Sequence, residues 1–186
     1  MTFSPWLLVV AVVAFTLLGA WCDARTKQLP NALTVPAFLA AIVFHVATGA
    51  LGGGWFGAAA GLGFAAGGFA VGFGTLLVLW LVGGGGGGDV KMMGAVGAWL
   101  GAKLTLYVFL LSTALIATST VALLLTSAAR RGFGRTQRRY LGRRDARQKD
   151  RDGSARSARR LMPFGVPLAL ATWTVVALGV WRGWIQ

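Results

Sequence analysis

Long apolar stretches without charge, separated by short polar or glycine-rich breaks, run through most of the chain. A helix that crosses a membrane needs about 20 predominantly apolar residues at ~1.5 Å per residue. The pattern therefore predicts an all-α polytopic membrane protein with about six transmembrane helices, the fourth of them short. The predicted spans are residues 3–22, 32–51, 55–82, 89–101, 104–126 and 166–184.

Residue types at the breaks define where the spans begin and end. Pro30 cannot sit inside a helix and Asn31 is a favoured N-cap, so residues 28–31 are predicted to form a turn before the second span. Residues 49–54 carry no charge and are rich in glycine, which predicts an outer loop. The fourth span would be ~20 Å long as a helix, against a hydrocarbon core of ~30 Å. Local thinning of the membrane would let it cross.

Small residues recur every fourth position along the third predicted span. This spacing places them on the same helix face, where they let a neighbouring backbone approach closely. The three lines are Gly57, Gly61 and Ala65; Gly63 and Gly67; and Gly68 and Gly72.

Composition indicates a membrane protein, and the distribution of charge predicts its orientation in the membrane. With 56% hydrophobic residues and a mean hydropathy of +0.68, the chain is too apolar for a soluble domain of 186 residues. Arg25 and Lys27 follow the first span, and residues 130–160 contain 13 Lys and Arg. Cations favour the cytoplasmic side, so we expect both regions there and the N-terminus outside. Residues 1–6 carry no Lys or Arg, and no cleavable signal peptide is expected.

The basic segment 130–160 is predicted to be a cytoplasmic loop, disordered or bound to anionic lipids. Each Lys or Arg near an anionic leaflet contributes about 1 kcal/mol to membrane binding. Its content of Gly, Ser, Arg and Gln is typical of disorder. Nucleic-acid binding is not expected, because the only interleaved aromatic residues are Phe133 and Tyr140.

Acidic residues are scarce, and two of them border apolar spans. The chain has no Glu, and of its five Asp residues only Asp23 and Asp89 lie at predicted span ends. A carboxylate beside a membrane span is costly and is a functional hypothesis by default. Cys22 and His45 are the sole cysteine and histidine, so a disulfide within the chain, a cysteine-based zinc site and a His cluster are excluded. We expect no metal and no cofactor.

The predicted topology puts Asp23 and Asp89 on the same side of the membrane. Two neighbouring carboxyl groups cannot both ionise comfortably and share a proton, so that one can activate water and the other can protonate a carbonyl oxygen. This chemistry hydrolyses peptides. Three alternatives remain. The first is a small proton-coupled transporter or channel with a broken helix at residues 83–88, and the second is a silent scaffold. The third is a pair of structural roles, in which Asp23 pairs with Arg25 or Lys27 and Asp89 caps a helix.

Four segments resemble type IV prepilin peptidases. Residues 86–89 read Gly-Gly-Gly-Asp and match the Gly-x-Gly-Asp motif of intramembrane aspartyl proteases. Asp23 followed by Leu-Pro-Asn at 29–31 resembles the first-Asp motif of the family, and residues 89–101 are similar to its second-Asp segment. Residues 163–169, which read Pro-Phe-Gly-Val-Pro-Leu-Ala, resemble its late Pro-Phe-Gly motif.

The resemblance implies a single transmembrane peptidase domain, residues 1–186, in the bacterial cytoplasmic membrane. It would remove the basic leader of type IV pilin-like precursors on the cytoplasmic face. Asp23 and Asp89 would be the catalytic pair. Residues implied to support the substrate are Gly86, Gly88, Lys91, Pro30 and Asn31.

One family feature is missing from the chain. The long prepilin peptidases have a four-cysteine zinc site and methylate the mature N-terminus, whereas this chain has one cysteine. It resembles the short peptidases of tight-adherence (Flp-type) pilus systems, and we expect no N-methyltransferase activity.

Overall fold

The computed structural model describes residues 5–26, 29–82, 86–131 and 164–184, and the regular structure of these residues is helical. The helices are α1 (Pro5–Thr26), α2 (Asn31–Leu81), α3 (Gly87–Arg131) and α4 (Gly165–Trp181). Three of them contain segments long and apolar enough to cross a membrane, namely Trp6–Thr26, Asn31–Leu81 and Gly87–Leu123, and α4 is a shorter apolar helix. The predicted loop 130–160 lies outside the described residues, apart from the last two residues of α3.

The prediction of six helices is wrong, because the described residues form four. Two boundaries that the sequence suggested are breaks inside helices rather than loops. In α2 the break consists of Gly53 (φ −147°, ψ 21°) and Gly54 (φ 58°, ψ −140°). In α3 it is Gly101 (φ 74°, ψ 169°). Gly54 and Gly101 have a positive φ, which glycine adopts without steric cost.

The break in α2 reverses the chain direction. A straight helix of 51 residues would be ~75 Å long, more than twice the membrane core. Instead, a Cβ added to Gly57 would collide with the carbonyl oxygen of Gly49, and one added to Gly61 would collide with that of His45. Residues before and after the break therefore lie side by side, as two antiparallel limbs. The outer loop predicted at 49–54 is reduced to two glycines.

The break at Gly101 also turns the chain back. Gly72 of α2 lies against both the backbone of Met93 and the side chain of Thr105, although a straight helix would separate those two residues by ~18 Å. The limb before the break is the short piece predicted at 89–101. It begins two residues earlier than predicted, at Gly87.

The chain divides into two units by its contacts. The first comprises Met1–Thr113 and Pro163–Gln186, and the second comprises Ala114–Met162. The described part of the second unit is the C-terminal portion of α3. All packing described below belongs to the first unit.

Helices α1 and α4 pack together in opposite directions within the first unit. Asp23 near the end of α1 contacts Gly165 at the start of α4, whereas the indole N–H of Trp173 donates a hydrogen bond to Thr16 Oγ1 at 2.9 Å. The end of α1 and the start of α4 thus lie together.

Two of the three predicted lines of small residues are confirmed as packing surfaces. Gly57 and Gly61 face the first limb of α2, and Gly68 and Gly72 face the backbone of α3. The third line is wrong, because a Cβ added at Gly63 or Gly67 meets no atom within 4 Å. Its spacing is right, but no neighbouring helix of the described residues lies on that side.

Gly68→Ala is expected to destabilise the protein, by about 1–3 kcal/mol, because overpacking a close contact forces the backbones apart. The added methyl group would collide with Gly97 O and lie 2.8 Å from Gly101 Cα. The adjacent Gly67→Ala is the matched control, since it gains helix propensity in open space. Thermal unfolding in detergent measures both variants. Equal Tm values for the two would contradict this packing.

Candidate active site

Asp23 lies in the last turn of α1 and is buried, with 2% of its surface exposed. Its Oδ2 accepts a hydrogen bond of 2.7 Å from the backbone N–H of Gly165. Gly165 is the first residue of α4, so its N–H has no acceptor within the helix, and the helix dipole adds partial positive charge there. The α4 N-terminus therefore fixes and stabilises the Asp23 carboxylate. No ion pair joins Asp23 to Arg25, and Lys27, the other predicted partner, lies outside the described residues.

Gly165 is a site residue to which the sequence reasoning assigned no role. A Cβ at this position would lie 3.0 Å from both Cβ and Oδ2 of Asp23 and 3.3 Å from Ala20 Cα. Only glycine lets the α4 backbone approach the carboxylate this closely. The signal was present in the Pro-Phe-Gly motif at 163–165, whose second and third residues open α4.

Asp89 is the third residue of α3 and is also buried, with 4% exposed. Its Oδ2 accepts a hydrogen bond from the N–H of Gly86 at 3.3 Å, and its own N–H donates to Gly86 O at 3.0 Å. The side chain thus bonds back to the residue before the helix, as the third residue of a capping box does. The alternative that Asp89 is the N-cap residue of this helix is therefore wrong, because Asp89 lies inside the first turn and bonds back to Gly86.

Packing between α1 and α3 brings both carboxylates to the same end of the first unit. A Cβ on Gly19 would lie 2.7 Å from Met92 Cε, so these two residues mark where the helices touch. Asp23 follows Gly19 by one turn, and Asp89 precedes Met92 by about one turn. Leu29, which follows α1, also contacts Gly88, so the start of α3 lies beside the end of α1. Both Asp residues therefore lie on the same side of this contact, on the helix faces that carry Gly19 and Met92. We call this end the carboxylate end.

Leu29, in the connection between α1 and α2, packs at the carboxylate end. Its side chain lies 3.4–3.5 Å from the Cβ position of Gly88, next to Asp89, and 3.6 Å from that of Gly19. Leu29 is 9% exposed. It therefore seals the α1–α3 contact beside the carboxylates.

The remaining predicted site residues lie around the start of α3 and α2. Pro30 is the N-cap of α2, so the prediction of Asn31 as N-cap is wrong; α2 begins at Asn31 because Pro30 already supplies the extended conformation (ψ 139°). The Asn31 side chain instead accepts a hydrogen bond of 2.8 Å from Lys91 Nζ. Lys91 is exposed, and this bond ties α3 to α2. Gly86 and Gly88 both precede Asp89, by three residues and by one residue.

The described residues contain no group of three or more His, Cys, Asp or Glu side chains that could hold a metal ion. His45 lies within α2, where its Nε2 is 3.0 Å from the carbonyl oxygen of Trp99. Cys22 is a half-buried free thiol. At the carboxylate end the described groups are the Asp23 and Asp89 carboxyls and the backbone N–H groups that bind them.

The sequence profile of the type IV leader peptidase family matches residues 10–122. The chain belongs to the type IV leader peptidase family. The match includes both Asp23 and Asp89 and covers most of α1, all of α2 and most of α3. Membership makes the chain a membrane peptidase with a protein substrate, and it favours hydrolysis over the transporter alternative. Searches among curated proteins and among solved structures gave no significant match.

Proposed function

We propose that this leader peptidase is an aspartyl endopeptidase that cleaves the basic leader from type IV pilin-like precursors, with Asp23 and Asp89 as its catalytic pair. The observation that carries the proposal is the burial of two carboxyl groups at one end of the first unit, on the faces of α1 and α3 that carry Gly19 and Met92. Burial of an acidic side chain beside a membrane span is costly, which makes each of the two a functional candidate by default.

The reaction uses the pair as base and acid. One carboxylate takes a proton from water while the oxygen of that water attacks the scissile carbonyl carbon. The other carboxylic acid protonates the carbonyl oxygen, giving a neutral tetrahedral diol. Collapse of the diol breaks the C–N bond. The amine nitrogen receives the proton that the first Asp had taken, and a diol hydroxyl returns a proton to the second Asp as the product carboxyl group forms. Both carboxyl groups return to their starting state, with one water consumed.

Backbone groups prepare the pair for this task. Each Asp has its Oδ2 held by a backbone N–H, from Gly165 for Asp23 and from Gly86 for Asp89. Fixed donors keep the carboxyl groups oriented before substrate arrives, which lowers the reorganisation needed in the transition state. The Cβ position of Gly88 is covered by Leu29, whereas that of Gly87 is open, so an extended peptide backbone would approach Asp89 past Gly86 and Gly87.

Charge favours placing the carboxylate end at the cytoplasmic face of the bacterial inner membrane. Arg25 lies in the last turn of α1, at the same end as Asp23. The basic segment 130–160 contributes the main cationic charge of the chain and would bind anionic lipids of the same leaflet. A precursor whose leader stays in the cytoplasm would then present its cleavage point at the depth of the two Asp side chains.

Co-expression with a pilin-like precursor tests the proposal. We expect a gel shift equal to loss of the leader, and mass spectrometry should find an unmethylated new N-terminus. The same precursor with an uncharged leader is the control for recognition. Absence of cleavage for precursors with basic leaders would contradict the assigned substrate class.

Chelation provides a separate prediction. Purified protein dialysed against EDTA is expected to cleave the precursor at an unchanged rate, because neither proton transfer uses a metal ion. Loss of activity in EDTA, restored by adding back a divalent cation, would contradict the two-Asp mechanism.

A further inference from the structure

A cleft of about 250 Å³ opens beside the first turn of α3. Its inner wall consists of Phe38 on the first limb of α2 and Phe69 and Phe73 on the second, and Thr34 also lines it. The rings of Phe69 and Phe73 stack with centroids 5.0 Å apart, and Phe38 packs on Phe69 at 4.6 Å. We call this the aromatic cleft. Both polar residues at its rim, Asn31 and Lys91, are exposed and bonded to each other.

The side-chain hydroxyl of Thr34 makes no hydrogen bond in this cleft. The residue is 3% exposed, and its Oγ1 is the one buried polar side-chain atom without a hydrogen-bond partner among the described residues. Other threonines in these helices, such as Thr48 and Thr75, donate to the carbonyl four residues earlier. For Thr34 that carbonyl belongs to Pro30, and it already accepts the N–H groups of Leu33 and Thr34.

An unsatisfied buried hydroxyl costs about 1–3 kcal/mol, and a ligand that bonds to Thr34 Oγ1 would recover that cost. A hydroxyl can both donate and accept, which suits the amide groups of a peptide backbone. The aromatic wall around it suits a large apolar side chain. Together they describe a subsite for an extended peptide that carries an apolar residue.

The cleft also lies within reach of the catalytic pair. Lys91 at its rim is two residues from Asp89, and Asn31 is two residues from Leu29, which packs against Gly88. An extended peptide advances ~3.3–3.6 Å per residue, so a substrate cleaved at Asp89 reaches the cleft within a few residues.

Charge decides which side of the substrate enters. The Lys91 ammonium group at the rim repels the basic leader, and the cleft interior offers no carboxylate to offset this repulsion. The part of the substrate on the other side of the scissile bond does not carry the leader's charge and is not repelled.

We propose that the aromatic cleft is a specificity subsite that binds a large apolar side chain within the first few residues after the scissile bond, with Thr34 Oγ1 hydrogen-bonded to the substrate backbone. This inference rests on the proposed function. It adds Thr34, Phe38, Phe69 and Phe73 as residues that determine specificity.

Thr34→Val tests the hydroxyl with little change in shape. We expect KM for the precursor to rise about 3- to 10-fold with kcat nearly unchanged, because one hydrogen bond to the substrate is lost. The Tm should stay the same or rise, since an orphan hydroxyl is removed. Thr34→Ser keeps the hydroxyl and should retain a KM close to that of the wild type. A wild-type KM in Thr34→Val would overturn the role of Thr34.

A substrate series tests the apolar pocket. Precursors are made with each large apolar residue of the first few positions after the scissile bond changed to Ala, and each is cleaved by the wild type and by Phe38→Leu and Phe73→Ala. At one position the change to Ala should raise KM for the wild type, and this effect should shrink several-fold in the Phe variants. Equal effects in all three enzymes would overturn the subsite.

Failure of this inference can be told apart from failure of the proposed function. If the Asp variants lose cleavage while the Thr34 and Phe variants behave as wild type, the aromatic cleft is not a subsite and the catalytic assignment stands. If the Asp variants still cleave, the catalytic assignment fails regardless of the cleft.

Discussion

Asparagine in place of either Asp23 or Asp89 is expected to lower the rate of precursor cleavage by about 10³-fold or more, since each carboxyl group must give or take a proton. The asparagine side chain has nearly the same shape as that of aspartate, but its amide cannot act as a general acid or base at neutral pH. Its side-chain carbonyl can still accept the N–H of Gly165 or Gly86 that the carboxylate accepts now. We therefore expect both variants to fold and insert normally, with the defect confined to catalysis.

Asp150→Asn is the matched control, because it removes the same charge from the basic segment outside the described residues. It should process precursor like the wild type. Cleavage is followed by gel shift at equal membrane abundance of each variant. A catalytic variant that retains cleavage within tenfold of the wild type would contradict the assignment of that Asp.

Gly165→Ala is expected to reduce kcat by about 10- to 100-fold, because displacing a catalytic group by ~1 Å can cost a factor of that size. The new methyl group would lie 3.0 Å from Asp23 Cβ and Oδ2, tighter than ordinary contacts. Either α4 retreats, which breaks the 2.7 Å hydrogen bond to Asp23, or the carboxylate turns away from Asp89. Both outcomes disturb the pair without removing a proton-transfer group.

Gly74→Ala provides the comparison for Gly165→Ala. It makes the same chemical change inside α2, where the added Cβ meets no atom within 4 Å. We expect wild-type kcat and Tm for Gly74→Ala. For Gly165→Ala, circular dichroism should show normal helix content alongside the lowered kcat. Full activity of Gly165→Ala would show that the α4 N-terminus does not position Asp23.

The carboxylate pair could be predicted from the sequence because membrane burial makes acidic residues rare. Of five Asp residues, only Asp23 and Asp89 border apolar stretches, and the positive-inside rule assigns both to one side. Their packing across α1 and α3 depends on Gly19 facing Met92, a contact between residues that nothing in the sequence links.

The number of helices could not be predicted, because it depends on the backbone dihedral angles of single glycine residues. Glycine-rich stretches look like loops, yet at residues 49–54 helical geometry is lost only at Gly53 and Gly54. A conformation with positive φ at a single glycine can reverse a helix without a connecting loop, and hydropathy does not report dihedral angles.

The contact of Gly165 and the unsatisfied hydroxyl of Thr34 could not be predicted from the sequence, for two different reasons. Gly165 acts through Asp23, 142 residues earlier in the chain. Thr34 lies in an ordinary apolar helix pattern, and only the occupied Pro30 carbonyl leaves its hydroxyl without an acceptor.

The central claim is that Asp23 and Asp89 act as one catalytic unit. It is tested most directly by cleavage of a purified precursor by the Asp23→Asn, Asp89→Asn and double variants in lipid nanodiscs. When two groups act as one unit, substituting either of them removes nearly all of the rate enhancement that the pair supplies. We predict the same background rate for all three variants. A double variant much slower than both single variants, with losses that multiply, would contradict the claim.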